Sequence, residues 1–585
     1  MLAYLLRRIA MTVPTLLLVS IAVFTLMRLI PGDPVQLMLG EGADPAQLEL
    51  ARQQMGLDQP LVTQYVVWLR HALTGDLGVS TTNGLAVLPL IWERFHVSAV
   101  IVLTAVALAS LIAVPAGLVA AWRKDRPTDL AIIGAATLML SVPSFWLGLL
   151  LLMFFGQYLH WLPVVGYVPM SEDFSQGLLY VILPIVTLVL VETGVLTRMS
   201  RASTIEVLRL EYVTHARAKG VPESQVLRRH VLPNAFNPTL TMIGLILGHL
   251  LSGIAVLETV FTLPGLGRLM IDSIFARDYP VLQGCLLFTA CIYVVINLIV
   301  DMCYPPLRSP GVGAVKKIKT HTLVGGVLIG VLLVLALVAA LWTPYNPQGI
   351  DLRGKLQPPS AAHWLGTDEF GRDVASRAMR AASTSCLIAL LTVALATAVG
   401  LVVGVLAGFV RGWTDRVLMA FNDTLLAFPG LLLALGVMVI VGANQWGIVL
   451  ALSMAYAPSV VRVVRGTVLS LREREYVEAS RMIGNGEIYT MWRHILPNCV
   501  APVAVLATSM FGWVLLSESA LSFLGLGVPP PAPTWGNMLS SARPYMASAV
   551  WLCLVPGLCI ALTLLGINLL GESLRDRLDP RTEKS

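Results

Sequence analysis

Between Leu323 and Trp342 the chain runs through twenty residues without a charge, LVGGVLIGVLLVLALVAALW. An α-helix of about that length crosses the hydrocarbon core of a bilayer. Comparable apolar runs stand at Ile9 to Ile30, Ala99 to Trp122 and Ser548 to Leu570. Segments that cross lipid must satisfy every backbone N–H and C=O internally, so only helices or a closed barrel remain. Barrel strands are short and alternate in polarity, and these runs do neither. Composition agrees: of 585 residues, 56% are hydrophobic and 13% charged, against roughly 45–50% and about 25% in soluble domains. The expected fold is an all-α polytopic membrane protein.

Twelve spans are expected, near residues 9–30, 99–122, 130–155, 178–197, 239–262 and 281–302, then 321–342, 384–410, 417–442, 447–464, 501–524 and 549–571. Arg7 and Arg8 precede the first run as in a signal peptide, yet no small-x-small cleavage site follows, so an uncleaved first span is the reading. With both termini inside, 28 of the 40 Lys and Arg residues fall on cytoplasmic segments, as the positive-inside rule requires. The stretch CYPPLRSPGVGAVKKIKTH is rich in Pro, Gly and basic residues and reads as a cytoplasmic joint. It divides the chain into a half at 1–305, a linker at 306–320 and a half at 321–585, each of six spans. The longest outer segments are 31–97 and 343–381. The seven cysteines lie in or beside apolar runs with no CxxC pair, and read as small buried hydrophobes; no metal site is expected.

The halves share more than span number. Shifting the sequence by 264 places EYVTHARAKGVPESQVLRRHVLPN, from Glu211, over EYVEASRMIGNGEIYTMWRHILPN, from Glu475, and eleven of the 24 positions coincide. Arg198, Arg201 and Pro238 also fall on Arg462, Arg465 and Pro502. A shift of 286 carries Asp129 onto Asp415 and Pro143 onto Pro429. Two copies of one unit explain this pattern. The two prolines should kink the third span of each half.

Each repeated block occupies the longest cytoplasmic segment of its half. In the first, Leu208, Tyr212 and Ala216 recur at spacing four and predict one helical face. Gly220 is placed to cap that helix in the left-handed conformation, Pro222 with Glu223 opens a second short helix, and Pro233 should end it. Connecting two spans takes roughly 2–8 residues; segments five times longer must do something else, and two equivalent helix-turn-helix elbows suit a partner that is itself paired.

These blocks, with GDLGVS at 75–80, SVPSFWLG at 141–148, VLETVFTLPGLGRLM, HWLGTDEFGRDVASR, DTLLAFPGLLLAL and SESALSFLGLG, resemble the permeases of binding-protein-dependent ABC importers, in the dipeptide, oligopeptide and nickel group. The first half resembles the B-type subunit and the second the C-type, as if fused. The elbows are similar to the family's EAA motif: Glu478, Ala479, Ser480 and Gly484 match it, whereas the first copy has Thr214 and His215 in place of the usual Glu and Ala. The resemblance implies a peptide importer in a bacterial inner membrane, with nickel, a metal chelate or glutathione as alternative cargo. It also implies two cytoplasmic ATPase subunits on the elbows and an extracytoplasmic solute-binding protein. The residues expected to meet the ATPases are Glu211, Tyr212, Ala216, Gly220 and Pro233, with Glu475, Tyr476, Glu478, Ala479, Gly484 and Pro497.

No GxxxxGKS or GxxxxGKT loop occurs, so ATP and Mg belong to partner subunits; the chain itself should be no enzyme and need no cofactor. Membrane lipids surround it, and nothing implies nucleic acid. Ionisable residues inside spans are costly and mark function by default, which singles out His249, Glu258, Asp423 and Glu518 as pathway candidates. For Glu258 and Glu518 a hydrogen bond to a buried helix end is the competing reading, and for His249 an interhelical contact. Glu192 and Glu572 lie near cytoplasmic ends and read as solvated. An ion-coupled carrier also shows twelve spans in two halves, but lacks large elbows of this form.

Overall fold

The structure, a computed structural model, describes residues 2–31, 35–36, 44–54, 56–303 and 319–578. The expected linker, residues 306–318 of it, lies outside the described residues, as do Arg581 and Lys584 of the tail. Among the described residues the architecture is helical throughout, with only two isolated β-bridges, Val79 to Ala86 and Thr367 to Asp373. Ten helices are long and apolar enough to cross a membrane, and two bent helix pairs raise the number to twelve.

Those bent pairs correct the expectation of single kinked spans at 130–155 and 417–442. Pro127–Ser141 and Ser144–Tyr158 meet at 94°, and so do Gly412–Leu426 and Gly430–Val441. Proline removes a helical N–H and drives the preceding residue out of the α region. Val142 is accordingly extended at φ −92°, ψ 120°. Pro143 (φ −58°, ψ 132°) and Pro429 (φ −59°, ψ 133°) adopt the same conformation, so the duplication reaches backbone dihedrals.

Several helices also outrun their apolar cores. Val87–Trp122 and Val374–Val410 begin well before the expected 99 and 384, so parts of both outer segments are helical. Hydropathy stops at the first charges, whereas Glu93, Arg94 and Arg377 are good helix formers and let the helix continue. Conversely, the fifth span of the first half ends at Gly253 and resumes as the short helix Ala255–Val260.

Within each half the tightest packing joins the second span to the fourth. In the second half, Gly400, Gly404 and Gly408 of Val374–Val410 lie against Val460, Val464 and Val468 of Gln445–Arg472. Small residues let backbones approach where lipid supplies no hydrophobic drive. A Cβ on Gly404 would stand 2.7 Å from Val464 Cβ and 2.9 Å from the Val461 carbonyl. Gly404→Val should therefore force the pair apart at a cost of about 1–3 kcal/mol, read as a lower thermal midpoint of the purified protein; an unchanged midpoint would refute the close approach.

The halves are packed into one body. Phe145, just past the first bend, meets Phe523 with ring centroids 5.5 Å apart. Trp146 Nε1 donates to the Cys553 carbonyl at 3.1 Å, and Arg543 Nη2 to that of Val260 at 3.1 Å. Both bends thus feed a shared core.

Candidate coupling elbows and pathway residues

The helix Phe174–Leu208 leads through Arg209 and Leu210 into Glu211–Ala218, and Gln445–Arg472 leads likewise into Glu475–Met482. Gly220 at φ +74° and Gly484 at φ +91° make the expected left-handed turns. Across each turn runs the same ion pair: Arg217 Nη2 to Glu223 Oε1 at 2.5 Å, and Arg481 Nε to Glu487 Oε1 at 3.0 Å. Both pairs consist of repeated residues, so the elbow is preserved as geometry as well as text.

Two details differ from expectation. The inward face of the first elbow is Val213 and Ala216, joined by Val226, Leu227 and Val231 in a small apolar cluster of its own, while Tyr212 is 39% exposed. The helix breaks at Arg209 and Leu210, so Leu208 and Tyr212 do not share one continuous face. Nor does Pro233 end the second elbow helix. The chain passes through a π turn, Val226–Val231, straight into Leu232–Gly253, and Met491–Ile495 does the same ahead of Leu496–Phe523. A π turn widens the helix where the proline ring would otherwise strike the preceding turn.

That turn accounts for the repeated RHxLPN phrase. Asn234 Nδ2 donates to the His230 carbonyl at 2.9 Å and to Tyr212 Oη at 2.9 Å, and Tyr212 Oη donates to the same carbonyl at 3.2 Å. In the second copy Asn498 Nδ2 donates to the His494 carbonyl at 2.7 Å, and Tyr476 lies against the His494 ring. Tyr, His and Asn thus lock the return helix onto the outgoing one. Glu211, Gly220 and Pro233, with Glu475, Glu478, Ala479, Gly484 and Pro497, are exposed on the elbows; Ala216 is buried.

Sequence reasoning noted the recurrence of Asp129 and Asp415, and of Arg201 and Arg465, without joining them. Arg201 donates to both Asp129 oxygens, at 2.6 and 2.7 Å, and Arg465 to both Asp415 oxygens at 2.6 and 2.7 Å. Each clamp ties the helix that carries an elbow to the first limb of a bent span. The signal was present: four recurring residues, a carboxylate and a guanidinium per half.

The pathway candidates separate. Glu258 is fully buried; it accepts from Ser98 Oγ at 2.5 Å and from the Arg268 N–H at 2.9 Å, so it caps the start of Leu266–Ala276. Glu518 is also buried and accepts from Ser522 Oγ at 2.8 Å. Asp423, half exposed, pairs with Arg462 at 2.8 Å. His249 is exposed on its helix, one turn from exposed Leu245, and Trp513, 49% exposed, occupies the equivalent place 264 residues on. Glu192 is buried, and its equivalent Tyr456 bonds Ser517 Oγ at 2.7 Å. Among the described residues no group of His, Cys, Asp and Glu is arranged to hold a metal ion.

The segments that join the first and second spans of each half are built as firm platforms. Arg372 and Arg377 converge on Asp368, at 2.6 and 3.3 Å, and burial pushes the neighbouring Glu369 carboxyl above its usual range. Asp278 accepts from Ser80 Oγ at 2.5 Å and from the Thr81 and Thr82 N–H groups, fastening the GDLGVS turn.

The two matched bundles share a core, and each carries a stiff helical elbow. The chain belongs to the binding-protein-dependent transport system inner membrane components, whose family model matches residues 113–307 and 400–584, with the family's N-terminal membrane component matching 1–110. It is a fused permease carrying both membrane units. A putative peptide transport system permease of Brucella suis biovar 1 is 41% identical over 304 residues, which is 52% of this chain and 97% of that protein. The glutathione transport system permease GsiC of Escherichia coli O6:H1 is 40% identical over 309 residues, 53% of this chain and 98% of that protein. A putative peptide transport permease of Brucella abortus biovar 1 is 40% identical over 276 residues, 47% of this chain and 93% of that protein.

Proposed function

We propose that the chain forms the translocation pathway of an importer for short peptides, energised by two ATPase subunits docked on the elbows and supplied by a solute-binding protein on the outer platforms. Both termini and both elbows then face the cytoplasm. The observation that carries this reading is the pair of matched elbows, each running through a π turn without a break into a fifth span. ATPase closure and opening is a two-state motion, and a stiff elbow converts it into rearrangement of the bundle. Peptide cargo is supported by the relatives named for peptide transport, and glutathione, itself a tripeptide, by the GsiC likeness. Nickel or a metal chelate is the second reading; the described residues hold no metal-ligating group to favour it.

The test is uptake in proteoliposomes holding the full chain, its ATPases and its binding protein, offered labelled dipeptides, oligopeptides, glutathione and chelated nickel. Peptide uptake that needs ATP is expected. Uptake driven by a proton gradient with ATP absent would place the chain among ion-coupled carriers instead. If His249 lines the pathway, His249→Ala changes cargo preference or uptake by about fivefold, the worth of one polar contact near 1 kcal/mol; identical rates and preferences remove it from the route.

A further inference from the structure

The elbows share a backbone but not a surface. Their inward positions agree: Val213, Ala216, Val226 and Val231 match buried Val477, Ser480, Thr490 and Ile495. Their outward positions do not. Where the second elbow presents Met482, Ile483, Ile488, Tyr489 and Trp492, between 52% and 84% exposed, the first presents Ala218, Lys219, Ser224, Gln225 and Arg228, all exposed as well. Charge diverges in the same direction. Residues 211–231 carry four basic and two acidic side chains, whereas 475–495 carry two basic and three acidic. Drift within a duplicated loop would scatter such changes; here four of the five outward positions move from polar to apolar, and the fifth from alanine to the larger methionine.

We infer that the two elbows dock in chemically different sockets of the ATPase assembly, the first in one lined by carboxylates and the second in one lined by apolar side chains. This rests on the proposal that the elbows meet ATPases, and deepens it: a dimer with two identical sockets would suit only one of these surfaces. Five exposed apolar residues on one elbow form the kind of cluster that marks a protein interface. Lipid does not account for them. Turns, ion pairs and return helices are common to both elbows, so a lipid-facing role for Ile483 and Ile488 would demand apolar residues at Lys219 and Ser224 also. The first elbow instead puts a lysine at its tip, where it gains from an opposing carboxylate.

Photo-crosslinking in native membranes tests this with the full chain and its ATPases in place. A photoreactive phenylalanine is set at Lys219 or Ser224, or at Ile483 or Ile488, and the adducts are sequenced. The expected result is that the first pair labels an ATPase segment rich in Asp and Glu, and the second pair a different, apolar segment. One common segment labelled from both elbows overturns the inference while leaving the ATPase reading intact. Lipid adducts alone from Ile483 and Ile488 also overturn it. If no nucleotide-binding polypeptide is labelled from either elbow, the ATPase reading falls too. As a second measurement, the combined exchange Ala218→Met, Lys219→Ile, Ser224→Ile, Gln225→Tyr and Arg228→Trp should lower ATPase recovered with the purified chain about tenfold, as loss of interface anchors does. Unchanged recovery from a normally inserted chain refutes distinct sockets.

Discussion

Arg201→Ala is expected to uncouple transport from ATP hydrolysis and to destabilise the protein. The Asp129 carboxylate is 2% exposed and holds both oxygens on the Arg201 guanidinium. Removing the arginine leaves a buried charge held by the Asp125 N–H at 2.9 Å, and an orphaned buried charge costs about 3–5 kcal/mol. The equivalent Arg465→Ala is milder, since Asp415 is 19% exposed and water can take over part of the contact. Adding Asp129→Asn to Arg201→Ala removes the unpaired charge, so stability returns in large part. Transport does not, because the link between elbow helix and bent span is still missing. The measurements are the thermal midpoint of the detergent-purified complex and, in proteoliposomes, the ratio of cargo moved to ATP hydrolysed. A double variant that regains both stability and transport would reduce the clamp to ordinary packing.

The clamp also shows where reading the chain as text runs out. Spans and halves were legible because apolar length is a one-dimensional property, and Gly220 and Gly484 were legible because a left-handed turn is a local demand. The elbows emerged from duplication, which needs no structure to detect. Asp129 and Arg201 were both singled out, yet their bond joins residues 72 positions apart, and spacing alone does not say which carboxylate meets which cation. Pro143 and Pro429 announced a deformation but not its size: whether a proline bends a helix slightly or by 94° depends on what receives the second limb. Glu258 illustrates the same limit, because pathway contact and a hydrogen bond to a buried helix end stand level in the sequence until the start of Leu266–Ala276 is seen to fold back onto the carboxylate.

Part of what receives the second limb of the first bend is the last helix of the chain, and Gly557→Leu should break that contact. The Trp146 indole, 5% exposed, lies against Gly557 and donates to the Cys553 carbonyl at 3.1 Å. Gly557 leaves no room for a side chain, since a Cβ there would overlap the indole itself. A leucine must expel the ring, at about 1–3 kcal/mol for overpacking and roughly a further 1 kcal/mol for the lost indole bond. Because Trp146 and Cys553 belong to different halves, the damage falls on the joint between the two fused units, and transport should fail even where each half stays folded. Trp146→Ala added to Gly557→Leu empties the space the leucine needs, so the pair should cost less than the sum of the single changes by about 0.5–3 kcal/mol, the range for residues in contact. Strict additivity in thermal midpoint and uptake would mean the indole and the glycine do not touch. Coupling between them ties the bends, and through the clamps the elbows, to a single closure between halves.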